Sequence, residues 1–197
     1  MRLIVLIGFF ASISCNSNHS RDKTYLDLSN QKLLYVPDSV FNFTRLEHLE
    51  LGNGNFTIYP PLSALGLSDD SNKDLNRITD IPAQIKALKN LKSLGLCYNN
   101  IQTLPSTMTH LKKLDTLNLS LNRNLKISEV YPILVQMKSL RYLNIFGTQA
   151  DTSIVKSLRA SLPNTKVIAT IADMGVDIEK ISKEIEDTLK GIVDPAK

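Results

Sequence analysis

Three histidines, two cysteines and one acidic run are the side chains in this chain whose types could carry chemistry. His19, His48 and His110 fall at no spacing that assembles metal ligands or sets a nucleophile beside its base. Asp69, Asp70 and Asp74 in SDDSNKD mimic a calcium loop, but the Asp-x-Asp-x-Asp-Gly spacing and the downstream Glu are missing. No glycine-rich phosphate loop is present. Cys97 has no cation or helix start beside it to lower its pKa, which makes it an inert, partly shielded thiol. Catalysis, cofactors and metals therefore drop out of the expectation, and leucines and asparagines are left as the informative residues.

Those residues recur. Leu94 opens LGLCYNNIQTLP, and Leu117 opens LNLSLNRNLKI 23 residues later. Together they follow the phrase LxLxxNxIxxLPxxMxxLxxL, a self-similarity that takes precedence over local propensity. Leu26 and Leu49 open earlier copies 23 residues apart, Leu143 follows Leu117 by 26, and Lys166 lies in register 23 further on. Leu-x-Leu alternates with period two, as in a short strand with one face on a core. An Asn then closes each turn, its side chain bonding backbone groups that lack a ladder partner. Asn99 and Asn122 hold this place, while Gln31, Gly54 and Thr148 replace it elsewhere. Ile101, Leu104, Met108, Leu111 and Leu114 then space a helical or 3₁₀ return path that buries one stripe. One such coil cannot bury its leucines alone, but a stack of them can.

LGLCYNNIQTLPSTMTHLKKL resembles a leucine-rich repeat of the LPxxIxxLxxL kind, and the likeness runs from about Tyr25 to Ile168. The resemblance implies an α/β leucine-rich repeat solenoid, with short parallel strands on a concave face and helical or 3₁₀ segments on the convex one. It also implies a binding module. Some bacterial relatives carry an enzymatic domain after the repeats, but the residues from 169 to 197 are too few to hold one, so a non-enzyme is expected.

Composition places the chain within globular norms, 43% hydrophobic and 21% charged over 197 residues. The net charge of +4 is spread among interspersed acids and bases, so no nucleic-acid footprint emerges. The convex lysines Lys86, Lys89, Lys92, Lys112, Lys113 and Lys138 read as a solvated face. Residues 1–14 have the form of a signal peptide: Met1-Arg2, an apolar run from Leu3 to Phe10 too short to span a bilayer, then small residues. Cys15 after Ile13-Ser14 resembles the lipobox of bacterial lipoproteins, although Ser12 stands where Leu is usual. The expectation is a lipid on Cys15, a tether over 15–24, and an extracytoplasmic, membrane-anchored location on a bacterial envelope. An ordinary signal peptide with an incidental Cys is the alternative.

Two regions break the pattern of the repeat domain, 25–172. Leu49 and Leu94 lie 45 residues apart, close to two periods, yet only one good copy is visible. Residues 56–76 hold either a degenerate repeat or an inserted loop, and Ser71 and Lys73 at the leucine places favour the loop. Over 173–197 the spacing of Ile178, Ile181, Ile185, Leu189 and Ile192 predicts an amphipathic helix, which either caps the last coil or pairs with a second copy. A monomer is the expected state.

Function then rests on the concave columns. One column reads Tyr25, His48, Ser93, Thr116 and Tyr142, and a second reads Asp27, Glu50, Gly95, Asn118 and Asn144. A third runs Ser29, Gly52, Cys97, Ser120, Phe146, and a fourth runs Asn30, Asn53, Tyr98, Leu121, Gly147. The N-terminal half offers Asp27, His48 and Glu50. The C-terminal half offers Tyr98, Leu121, Tyr142 and Phe146 as exposed anchors for a protein partner of unknown identity. A carbohydrate-binding face, or a passive envelope component, remains as the alternative reading.

Overall fold

The computed structural model describes residues 22–53, 74–175 and 183. Six strands of three residues each form one parallel sheet whose order follows the chain. They are β1 (Tyr25–Asp27), β2 (His48–Glu50), β3 (Ser93–Gly95), β4 (Thr116–Asn118), β5 (Tyr142–Asn144) and β6 (Lys166–Ile168). Their middle residues pair directly: Leu26 with Leu49, then Leu94, Leu117, Leu143 and Val167. From Leu49 onward this column is buried, because each leucine is covered by the coils before and after it.

The return paths change character along the stack. Pro37, Pro82 and Pro105 stand in extended conformation at the starts of 3₁₀ turns over Asp38–Asn42, Ala83–Ala87 and Ser106–His110. Proline suits that place, since it presets φ and gives up an N–H that the first turn leaves unpaired anyway. Where the coils lengthen, α-helices replace these turns: α1 (Ile127–Leu134) and α2 (Thr152–Ser161). Asp151 caps α2 by accepting the Ile154 N–H at 2.8 Å. The stripe Ile101, Leu104, Met108, Leu111 and Leu114 is buried throughout, as its spacing requires.

Although 45 residues separate Leu49 from Leu94, β2 pairs directly with β3 with no strand between them. Residues 54–73, with most of the 56–76 stretch, lie outside the described residues, but Asn53 and Asn76 on either side of them meet directly. Asn53 accepts the Asn76 N–H at 2.6 Å and returns a bond from its amide to the Asn76 carbonyl at 2.7 Å. Asn76, not Gly54, then fills the place of the turn asparagine in this coil. Its amide donates to the Leu28 and Leu51 carbonyls, and its oxygen accepts the Gln31 and Leu33 N–H groups. Gly54, which the spacing put at this place, lies outside the described residues.

A second correction falls at β6. The 23-residue spacing puts Lys166 in the leucine column, but Leu143 pairs with Val167. The ten-residue α2 lengthens this coil by one, and a one-residue shift exchanges the faces of a strand. Val167 is accordingly buried and Lys166 exposed.

The two ends of the described stack differ. Leu26, Leu28 and Leu33 of the first coil are only half-buried, while Tyr25, Leu34 and Tyr35 are 60%, 64% and 73% exposed. At the other end Asp173 gathers the chain, accepting N–H bonds from Ala169 and Thr170 and pairing with Arg159 at 2.6 Å. The leader, Cys15 and nearly all of the amphipathic segment from 173 to 197 lie outside the described residues.

Candidate functional site

The sheet aligns the first two concave columns as the repeat spacing predicts, residue for residue from Tyr25 and Asp27 to Tyr142 and Asn144. Their chemistry is different from the expectation in one respect. Asp27 accepts the Ser29 N–H at 2.8 Å, Glu50 the Gly52 N–H at 2.8 Å, Asn118 the Ser120 N–H at 3.1 Å and Asn144 the Phe146 N–H at 3.0 Å. Four members of this column thus do the same work, satisfying the backbone donor two residues on, where the strand ends. Asp27 and Glu50 thus each hold a backbone donor at the end of their strand, Asp27 from an exposed position and Glu50 from a half-buried one.

Their environments nonetheless separate them. Hydrogen bonds from the Ser29 hydroxyl and N–H hold Asp27 below the usual carboxylate range. Burial pushes Glu50 up, and the charge of Asp27 adds to that. Glu50 is half-buried because its carboxylate occupies the space beside Gly95, where an added Cβ would sit 2.0 Å from Oε2. A carboxylate raised in the folded state favours folding while protonated, and that contribution fades as pH climbs through its folded pKa. Glu50→Gln, which keeps an acceptor for Gly52, should therefore raise the melting temperature at about pH 7 and change it little at about pH 4. Thermal scans across that range check the sign.

In the third column Cys97 is 6% exposed, and burial, with the charge of Glu50, pushes its thiol up to about 11. Burial and the neighbouring carboxylate, not only the lack of a nearby cation, keep it protonated. In the fourth column Asn30, Tyr98, Leu121 and Gly147 all take left-handed φ, at 53°, 54°, 60° and 71°. This bend turns the chain out of the strand so that the next side chain points inward. Gly adopts it freely and Asn tolerates it, but Tyr and Leu bear about 1–2 kcal/mol of strain each.

The inward asparagines complete the scaffold. Asn122 donates to the Leu96 and Leu119 carbonyls at 2.9 Å each and accepts the Ile101 N–H at 3.0 Å. Asn99 repeats the pattern with Leu51, Leu96 and Ile78. Thr148 keeps one such bond, its hydroxyl donating to the Ile145 carbonyl at 2.6 Å.

Tyr98, Leu121, Tyr142 and Phe146 are half-buried rather than fully exposed. Tyr98 and Leu121 fall together with residues that the columns did not include. They line an open groove of about 570 Å³ at the turn edge, shared with Arg77, Asn100, Arg123 and Asn124. Tyr142 and Phe146 belong to β5 and its exit, and His48 lies beside Tyr25 with ring centroids 6.3 Å apart. The arginines were legible as the residues following Asn76 and Asn122 in the repeat, had Asn76 been placed in the turn. Among the described residues no group of three or more His, Cys, Asp or Glu side chains could hold a metal ion. No described helix is long and apolar enough to cross a membrane.

Parallel three-residue strands, asparagine-closed turns and 3₁₀ return paths define a solenoid of leucine-rich repeats. The comparisons with known proteins agree: residues 74–123 match the family model described as leucine rich repeat, and the chain is a leucine-rich repeat protein. The structure of a leucine-rich repeat protein from Leptospira interrogans superposes with a TM-score of 0.57 at 25% identity, covering 73% of this chain and 30% of that one. Human volume-regulated anion channel subunit LRRC8A is 32% identical over 174 residues, which are 87% of this chain and 20% of that protein. Adenylate cyclase of Schizosaccharomyces pombe is 34% identical over 119 residues, 58% of this chain and 7% of that protein. The chain thus spans a fifth or less of these two relatives.

Proposed function

We propose that this chain is a non-catalytic protein-binding scaffold that seats its ligand on the concave face. The strain at Tyr98 and Leu121 carries the reading. Gly147 shows which residue the left-handed position favours, so Tyr98 and Leu121 occupy it against local preference. With Tyr142 and Phe146 they supply apolar contact area on an aligned, otherwise polar face, the composition of an interface anchor. The likeness to adenylate cyclase transfers no activity, because the shared stretch is so small a part of that enzyme.

The test begins with crosslinking on intact cells and mass spectrometry, followed by titration of the captured protein. Tyr142→Ala and Phe146→Ala should each weaken binding about thirtyfold, corresponding to about 2 kcal/mol, with melting temperatures little changed. Normal affinity in both variants defeats the concave-face reading. Binding on a glycan array with no protein captured would assign the face to sugars instead.

The location of the scaffold forms part of the same proposal. The apolar run and Cys15 support display outside the cytoplasm, held by acyl chains on a bacterial membrane. Cys15→Ala should move the protein from the membrane fraction to the soluble one. If the variant stays with the membrane, or the intact protein has no acyl mass, the anchor is wrong.

A further inference from the structure

The groove at the turn edge has a charge pattern that the concave columns lack. Arg77 follows Asn76, Asn100 follows Asn99, and Arg123 follows Asn122, so these three hold equivalent places in successive coils. Hydrogen bonds fix that file. Arg77 donates its N–H to the Leu33 carbonyl, Asn100 to Ile78, and Asn122 accepts from Ile101. Both arginines are exposed, and among the described residues neither forms an ion pair. Of the two acids three residues from Arg77, Asp74 is paired with Lys32 at 2.6 Å and Asp80 accepts the Thr79 hydroxyl at 2.7 Å. Between the arginines lie Tyr98 and Leu121, the two residues held in strained left-handed conformation.

We infer that this groove is a second binding site that takes an extended acidic peptide, with carboxylates on Arg77 and Arg123 and an apolar side chain between them on Tyr98 and Leu121. The inference rests on the protein-binding reading but places this contact at the turn edge instead of on the strand face. Spacing selects the ligand. Coils repeat at about 4.8 Å, so places two coils apart are separated by about 10 Å, which an extended chain covers in about three residues. Each guanidinium offers a planar fork of donors suited to a carboxylate. Asn100 and Asn124 add neutral amides that can bond peptide main chain, whereas a nucleic acid or sulfated glycan calls for an unbroken run of cations. The cations here are interrupted, which favours the peptide.

The test is selection of a random decapeptide library on the full chain in mild detergent, with Arg77→Gln/Arg123→Gln as the counter-target. Enriched peptides should carry two acidic residues about three apart around an apolar one. Their affinity should fall at least tenfold on the double variant, and less steeply on either single variant. Rising salt should weaken the intact protein's binding more than that of the double variant. Absence of acidic enrichment, or equal binding to the double variant, overturns the site. Peptides lost on Tyr142→Ala but unaffected by the arginine changes would sustain the concave-face reading while defeating this one. A heparin oligosaccharide or single-stranded oligonucleotide that binds through the arginines more tightly than every peptide would show a polyanion site, and the peptide assignment fails.

Discussion

Leu117→Asp unfolds the domain. Leu117 is completely buried at the centre of the leucine column, with Leu94 on one side and Leu143 on the other. A carboxylate there loses its hydration and finds no cation in a cluster built of aliphatic side chains. The expected loss of several kcal/mol is comparable with the whole stability of a typical domain, about 5–15 kcal/mol. Because every coil is stabilised by its neighbours, damage at the centre should propagate to both sides. Lys112→Asp, on the exposed convex surface, is the matched change in charge and should leave the unfolding curve nearly in place. Two superimposable curves would refute the assignment of the core.

Asn122→Ala should have the next largest effect. The substitution removes little apolar area but leaves the Leu119 carbonyl and the Ile101 N–H without the partner that the asparagine supplies, while the Leu96 carbonyl keeps the Asn99 amide at 3.3 Å. A buried polar group left unpaired costs about 1–3 kcal/mol, so two such groups put the expected loss on the order of 2 kcal/mol or more. Asn124→Ala, two residues away and exposed, should be silent. Urea unfolding of the pair reads the difference. A loss below about 1 kcal/mol for Asn122→Ala would mean that water replaces the side chain without penalty.

The repeat made most of this architecture readable before any coordinates. Period-two leucines followed by an asparagine fix which residues face the core, and the column from Leu26 to Leu143 follows directly. The failures share a cause, namely that spacing identifies places and not the paths between them. Counting forward from Leu51 lands on Gly54, because a count takes the next residues along the chain to be the next in the coil; Asn76 is recognisable only by its bonds. Counting from Leu143 lands on Lys166, because the extra residue within α2 leaves no mark on the pattern. The candidate site was less legible. Asp27 and Glu50 share a column with Asn118 and Asn144, and that kinship of shape already hinted that they cap backbone donors. The partial burial of Tyr98 and Phe146, by contrast, depends on side-chain packing that a column of letters does not contain.

The reciprocal clasp between Asn53 and Asn76 separates two properties that are usually bound together in a repeat array, segment length and phase. Since Asn53 and Asn76 meet at one hydrogen-bonded junction and β2 pairs directly with β3, a change in the number of residues between the two asparagines need not slide any strand against its neighbour. For a flexible connection, doubling the length costs only about 0.6 kcal/mol in closure entropy. Evolution can therefore vary the length and composition of this stretch nearly independently of the solenoid, and a protein engineer can use the same junction to graft a reporter or a foreign domain.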